Sequence, residues 1–191
     1  DLITPRAPIE KLIQTFSDLG ARSIGVDVDF SPDNGQFVHP GDPDFFKRCL
    51  ELSKKTHIPI FLGVGRTFNQ PDNWLGDDAY RRLAATIVIR RVIEHNQVPH
   101  WVRVKDGDRL RSMSASLAGV DVNATEASRW DWAIKSTSLV KSPSGIESKE
   151  TTIDYSPLPW IKAEILPVFS DFSEYAKMED KVKGRMVLLG D

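Results

Sequence analysis

The first 64 residues run helix pattern, strand pattern, helix pattern, strand pattern, and that order constrains the fold more than any other feature. Ile9, Leu12, Ile13, Phe16 and Leu19 recur at helical spacing, with Thr4 placed to cap the helix and Pro5 at an early position. Gly20 supplies the stop, because it enters the left-handed conformation without a side-chain clash. Arg22 to Phe30 (RSIGVDVDF) turns to strand character and closes at the turn cluster Ser31-Pro32-Asp33-Asn34-Gly35. Asp42 and Pro43 then open a second helix with Phe45, Phe46, Cys49, Leu50 and Leu52 on its apolar face. Ile58 to Val64 is a short, almost wholly apolar run, as in a strand covered on both faces. The alternation predicts an α/β fold with a central, mostly parallel sheet flanked by helices.

The remainder is less regular. Asp77 to Ala85 has a helical pattern, while Thr86 to Ile93 fits a strand or a continuation of that helix. Val98 to Val104 reads as a strand and Leu110 to Ala118 as a helix. Asn123 to Glu150 is polar and rich in Ser and Thr, which predicts a long irregular excursion in the second half. Thr152 to Tyr155 is a short strand candidate, Ser170 to Lys183 a helix, and Arg185 to Leu189 (RMVLL) a last strand after Gly184. With no fixed-period repeat and no linker, residues 1–191 are expected to form a single domain.

Charge and cysteine content exclude several classes. A formal net charge of -2 gives no general attraction for polyanions, so no nucleic-acid partner is expected. Cys49 stands alone and cannot form an internal disulfide or a multi-thiolate metal site; its apolar helical setting points to a buried thiol. No apolar run approaches the roughly 18 residues of a spanning helix. The abrupt start at Asp1 and the stop at Asp191, directly after an apolar strand pattern, suggest a domain cut from a longer chain.

Three islands carry a family resemblance. The opening helix leads to Gly20-Ala21-Arg22 and a strand ending Asp27-Val28-Asp29-Phe30; the centre holds Arg111-Ser112-Met113-Ser114-Ala115-Ser116-Leu117-Ala118. The close combines Ile153-Asp154-Tyr155, Pro167-Val168-Phe169-Ser170 and Lys183-Gly184-Arg185-Met186-Val187-Leu188-Leu189-Gly190. In this order the islands resemble the CHASE type 2 domain, and Asp106-Gly107-Asp108-Arg109 is a looser counterpart of that family's D-G-x-x-R segment. The resemblance implies an extracytoplasmic (periplasmic) sensory module of a bacterial transmembrane receptor. Flanking membrane helices in the parent protein would join it to a cyclase, histidine kinase, diguanylate cyclase or serine/threonine kinase output. Its ligand would be a small molecule or a protein, a homodimer is compatible with it, and it implies neither catalysis nor a cofactor.

Candidate ligand-binding residues come from the residue pattern. Asp27 and Asp29 lie at the end of the first predicted strand, the edge where open α/β sheets commonly bind ligands. Two positions apart in a strand, they share a face and can jointly hold a cation or an amine. The simpler reading is that Asp27 caps a loop by hydrogen bonding while Asp29 is solvated. Asp191 joins them if the first and last strands are neighbours. Arg66 follows Gly63-Val64-Gly65, where backbone N–H groups and a guanidinium can grip an anion; a plain loop is the simpler reading. Trp130 and Trp132 fit a ligand pocket, a dimer face or core packing. The pairs Arg81-Arg82 and Arg90-Arg91 read as solvated faces, with anion contact as the alternative.

Other classes stay in view. The Asp-x-Asp also begins a haloacid-dehalogenase-type phosphatase pattern, in which the first carboxylate is the nucleophile beside Mg²⁺; Asp77-Asp78, Lys105 and Asp106 would have to supply the rest. A dimerisation or spacer domain without a ligand is the third class. The four histidines, His39, His57, His95 and His100, form no HExxH, and there is no GxSxG, so no metal ligand set or catalytic residue is assigned.

Overall fold

In chain order the elements are α1 (Arg6–Asp18), β1 (Ser23–Asp27), α2 (Asp42–Thr56), β2 (Ile60–Val64), α3 (Asp78–Arg81), β3 (Ala84–Thr86), β4 (Gln97–Arg103), β5 (Arg109–Arg111), α4 (Met113–Ala118), β6 (Ile134–Lys141), β7 (Glu147–Ile153), α5 (Glu179–Val182) and β8 (Met186–Gly190). Short 3₁₀ turns cover Trp74–Gly76 and Phe172–Met178. The computed structural model describes residues 4–32, 37, 39–65, 73–87, 97–103, 109–119, 134–141, 147–153, 166–167, 169 and 171–190, with 97–103, 109, 134–141 and 147–153 described by backbone alone.

The apolar stripe expected in the first helix buries Ile9, Ile13 and Phe16. The helix closes as Gly20 takes φ +74°, and the amides of Gly20 and Ala21 donate to the carbonyls of Ser17 and Phe16 at 3.0 Å each. This paired closure satisfies carbonyls that a helix end otherwise leaves open. At the other end Pro5, not Thr4, is the cap, without a side-chain capping bond. Pro5 sits near the φ its ring enforces, and the Thr4 carbonyl instead accepts a hydrogen bond from Arg6 Nη1 at 3.0 Å.

The first sheet has the order β3-β2-β1-β8, and every neighbouring pair is parallel. Ile24, Val26, Ile60 and Leu62 are buried, as a parallel sheet with covered faces requires. One face packs on the α1 and α2 side, where Phe30, Phe45, Phe46 and Trp74 join Ile13 and Phe16 in the main core. The other face is covered at β1 by α4. A Cβ on Gly25 would come within 2.7 Å of Met113 Sδ, and the Ser23 hydroxyl donates to the Leu117 carbonyl at 2.9 Å. Cys49 is buried in the main core, and that burial pushes its thiol pKa up to about 12. The chain is thus an α/β fold with a central parallel sheet and flanking helices.

A second sheet, antiparallel and ordered β5-β4-β7-β6, departs from expectation. Residues 134–141 and 147–150 fall in β6 and β7, so the stretch expected to be irregular contains a strand pair. Its polarity hid the pattern. IKSTSLVK and ESKETTI are rich in β-branched or small polar residues, which suit a strand facing water on one side. The turn signal Ser142-Pro143-Ser144-Gly145 lies between them in the sequence. An isolated parallel bridge, Thr86 to Ser112, links the end of the first sheet to the start of α4.

Three helices are shorter than their patterns. The segment 77–85 gives a four-residue α3 and then enters β3. The segment 110–118 gives strand to Arg111 before Ser112 caps α4. The segment 170–183 is mostly 3₁₀, followed by α5.

Candidate functional site

The carboxyl edge of the parallel sheet carries Asp27, and the neighbour of Asp27 in register is Gly190. Asp27 is exposed, on the same face as Ser23 and Gly25 by strand alternation. A Cβ on Gly190 would lie 2.9 Å from the Asp27 Cβ, so a glycine here lets the two strand ends close up. The first and last strands are therefore neighbours, as the grouping of Asp27 with Asp191 requires, while Asp191 itself lies outside the described residues.

Asp29 does not share this face as a strand position, because β1 ends at Asp27. Asp29 is exposed, and its Oδ1 accepts from the Ser31 amide at 2.9 Å, from the Ser31 hydroxyl, and from the Gly65 amide at 3.0 Å. Ser31 Oγ also accepts from Gly65 N–H, at 2.9 Å. The carboxylate thus makes a two-residue side-chain turn and ties the loop after β1 to the end of β2. A Cβ on Gly65 would reach 3.2 Å from Asp29 Cγ, so the glycine permits the close approach. The same bonds engage the Gly65 N–H, the backbone donor expected to help grip an anion. Arg66, Trp130 and Trp132 lie outside the described residues.

The two aspartates therefore have separable roles. Asp29→Ala is expected to lower unfolding stability by about 1–2 kcal/mol, since charge-assisted bonds that order the loop are lost. Asp27→Ala is expected to stay within about 0.5 kcal/mol of the parent protein. Urea titration of both variants checks this; equal losses would defeat the distinction.

Two of the residues that a phosphatase site would borrow have local partners. Asp77 caps α3 by accepting from Ala79 N at 2.8 Å, and Asp78 pairs with Arg81. Lys105 and Asp106 lie outside the described residues. Among the described residues no group of three His, Cys, Asp or Glu side chains is placed to hold a metal ion, and no helix is long and apolar enough to cross a membrane.

No family model, curated protein or solved structure matches this chain. The likeness to the CHASE type 2 domain rests on the three sequence islands, and parts of all three meet around β1. The Arg22 amide donates to the Arg185 carbonyl at 2.7 Å, and the Gly184 amide donates to the Gly20 carbonyl at 2.8 Å, joining the opening island to the closing one. The central island forms α4, which packs on Gly25 and accepts the Ser23 hydroxyl. Residues nearly a chain length apart therefore build one local unit.

Proposed function

We propose that the chain is an extracytoplasmic input domain of a membrane-anchored signalling receptor, of the kind the CHASE type 2 resemblance implies. The observation that carries this reading is the meeting of the opening, central and closing islands around β1, which makes their order in the sequence a property of one packed unit. A small molecule or protein partner then acts by differential affinity. It shifts the domain, or a pair of copies, between two arrangements, and the attached membrane helices follow. The carboxyl edge of the parallel sheet, with exposed Asp27, is the candidate contact face.

Sidedness tests the proposal in living cells. Cys49 is buried with a raised pKa, so it stays silent toward thiol reagents in the folded protein. Lys47→Cys places a thiol on an exposed position of α2. In the full-length protein this variant is expected to react with a membrane-impermeant maleimide in intact cells, above the level of the unsubstituted protein. Reaction only after the membrane is broken would overturn the assignment.

A further inference from the structure

At the opposite edge of the parallel sheet, where α2 ends and β2 and β3 begin, lies an open cavity of about 310 Å³. Ile60, Phe61 and Leu83 give it an apolar lining, with Ile60 and Leu83 buried and Phe61 half-buried. Lys54, His57 and Arg82 also line it, and all three are exposed. Their side chains form no hydrogen bond or ion pair with a described residue. Elsewhere on the surface Arg48 pairs with Glu10, Arg81 with Asp78, Lys177 with Glu174 and Lys183 with Glu179.

Lys54 alone has a simpler explanation, because a cation in the last turn of α2 complements the helix dipole. Arg82 is the C-cap of α3, a single turn of four residues whose dipole is small. His57 adds an independent observation. It closes α2 at φ +59°, and among the described residues it is the one non-glycine with positive φ. α1 and α4 end on Gly20 and Gly119 in the same region, where a side chain is a steric cost. The α2 terminus keeps an imidazole where glycine would be relaxed, and that imidazole lines the cavity. A left-handed residue other than glycine on a concave surface is a reason to test that surface for a ligand.

We propose that this cavity binds a small organic anion, an oxyanion head held by Lys54, His57 and Arg82 with an apolar body against Ile60, Phe61 and Leu83. Its volume falls at the small end of ordinary ligand pockets. The site stands apart from Asp27 and is independent of the receptor assignment. Phenyl phosphate is a suitable probe, with inorganic phosphate (head only) and benzyl alcohol (body only) as comparators. Followed by the amide resonances of Ile60 and Leu83, phenyl phosphate is expected to bind saturably and at least about tenfold more tightly than either comparator. The double variant Lys54→Gln/Arg82→Gln should weaken it at least about tenfold, and added salt should weaken it further. His57→Gly should raise the melting temperature while weakening binding, a combination that unfolding cannot produce. Absence of saturable shifts, equal binding of benzyl alcohol, or undiminished binding by the double variant would each overturn the proposal.

Discussion

Phe46→Ala is expected to remove about 3–5 kcal/mol of stability, the range for emptying an aromatic site in a packed core. Phe46 has no exposed surface, and its ring meets Trp74 edge-on at 4.8 Å, Phe37 at 5.5 Å, and Phe30 and Tyr80 at 5.8 Å each. Those partners come from the loop after β1, the chain leading to α2, the 3₁₀ turn and α3, so one side chain joins four segments. The site also resists collapse. The Trp74 indole is pinned by Nε1 donating to the Phe30 carbonyl at 3.0 Å, and Phe30 lies stacked against Phe45 at 5.6 Å. Neither ring can move into the vacated space without losing these contacts, which puts the cost in the upper part of the range. Against a total of about 5–15 kcal/mol for a typical domain, that loss is large. Urea unfolding should show a lower midpoint with an unchanged slope; a loss below about 1 kcal/mol would show that the cluster rearranges freely.

The parts of the fold that were legible in the sequence are those whose burial is periodic. Ile9, Ile13 and Phe16 give the stripe of α1, and Ile60, Leu62 and Val64 give an inner strand, because each needs only a local pattern matched to a covered face. Only Thr152 and Ile153, the end of β7, fall in the strand expected at 152–155. β6 and the rest of β7 leave no apolar pattern because their residues are polar. Their pairing satisfies the backbone, and backbone bonding leaves no hydropathy signal. The 77–85 segment ends its helix earlier than its pattern for a different reason: after Arg82 the chain must turn so that Leu62 N–H can reach the Leu83 carbonyl at 2.6 Å, a tertiary demand that overrides propensity.

The candidate sites divide the same way. That Asp27 stands at a strand end was legible, since strand ends follow from the apolar run. The tie between Asp29 and Gly65 spans 36 residues, and no local period encodes such a partner. The cavity of Lys54, His57 and Arg82 is still less visible in the sequence. Arg82 is exposed, as a solvated arginine pair predicts, and nothing in the sequence signals that it lines the cavity while Arg81 is engaged by Asp78. A helix pattern ending at a histidine followed by Ile-Pro was the available local signal for the strained cap.

Asp42→Ala is expected to match the Phe46 result in size, about 3–5 kcal/mol, through charge rather than volume. Arg6 Nε donates to Asp42 Oδ1 at 2.6 Å, and the two side chains are only 8% and 1% exposed. The pair joins the first turn of α1 to the first turn of α2, yet the two ends are not equivalent. Asp42 also accepts the His39 amide at 2.9 Å and sits at a helix N-terminus, where a negative charge is favoured. Arg6 sits at a helix N-terminus too, where a positive charge is disfavoured, and among the described residues it keeps only the Thr4 carbonyl and the face of the Phe30 ring, 4.4 Å from its guanidinium carbon. Removing Asp42 therefore strands the poorly compensated partner, whereas Arg6→Ala leaves a carboxylate with an amide donor and a favourable dipole. Asp42→Ala should be the more damaging single change. The pair Arg6→Met/Asp42→Leu should recover much of the loss, since neither charge is then left buried alone. A double-mutant cycle in urea reads the coupling directly. It should persist in about 1 M salt, because buried charges are screened far less than exposed ones. Single variants that both stay within about 0.5 kcal/mol of the parent protein would mean that water reaches the pair and that α1 and α2 are held together by their apolar contacts alone.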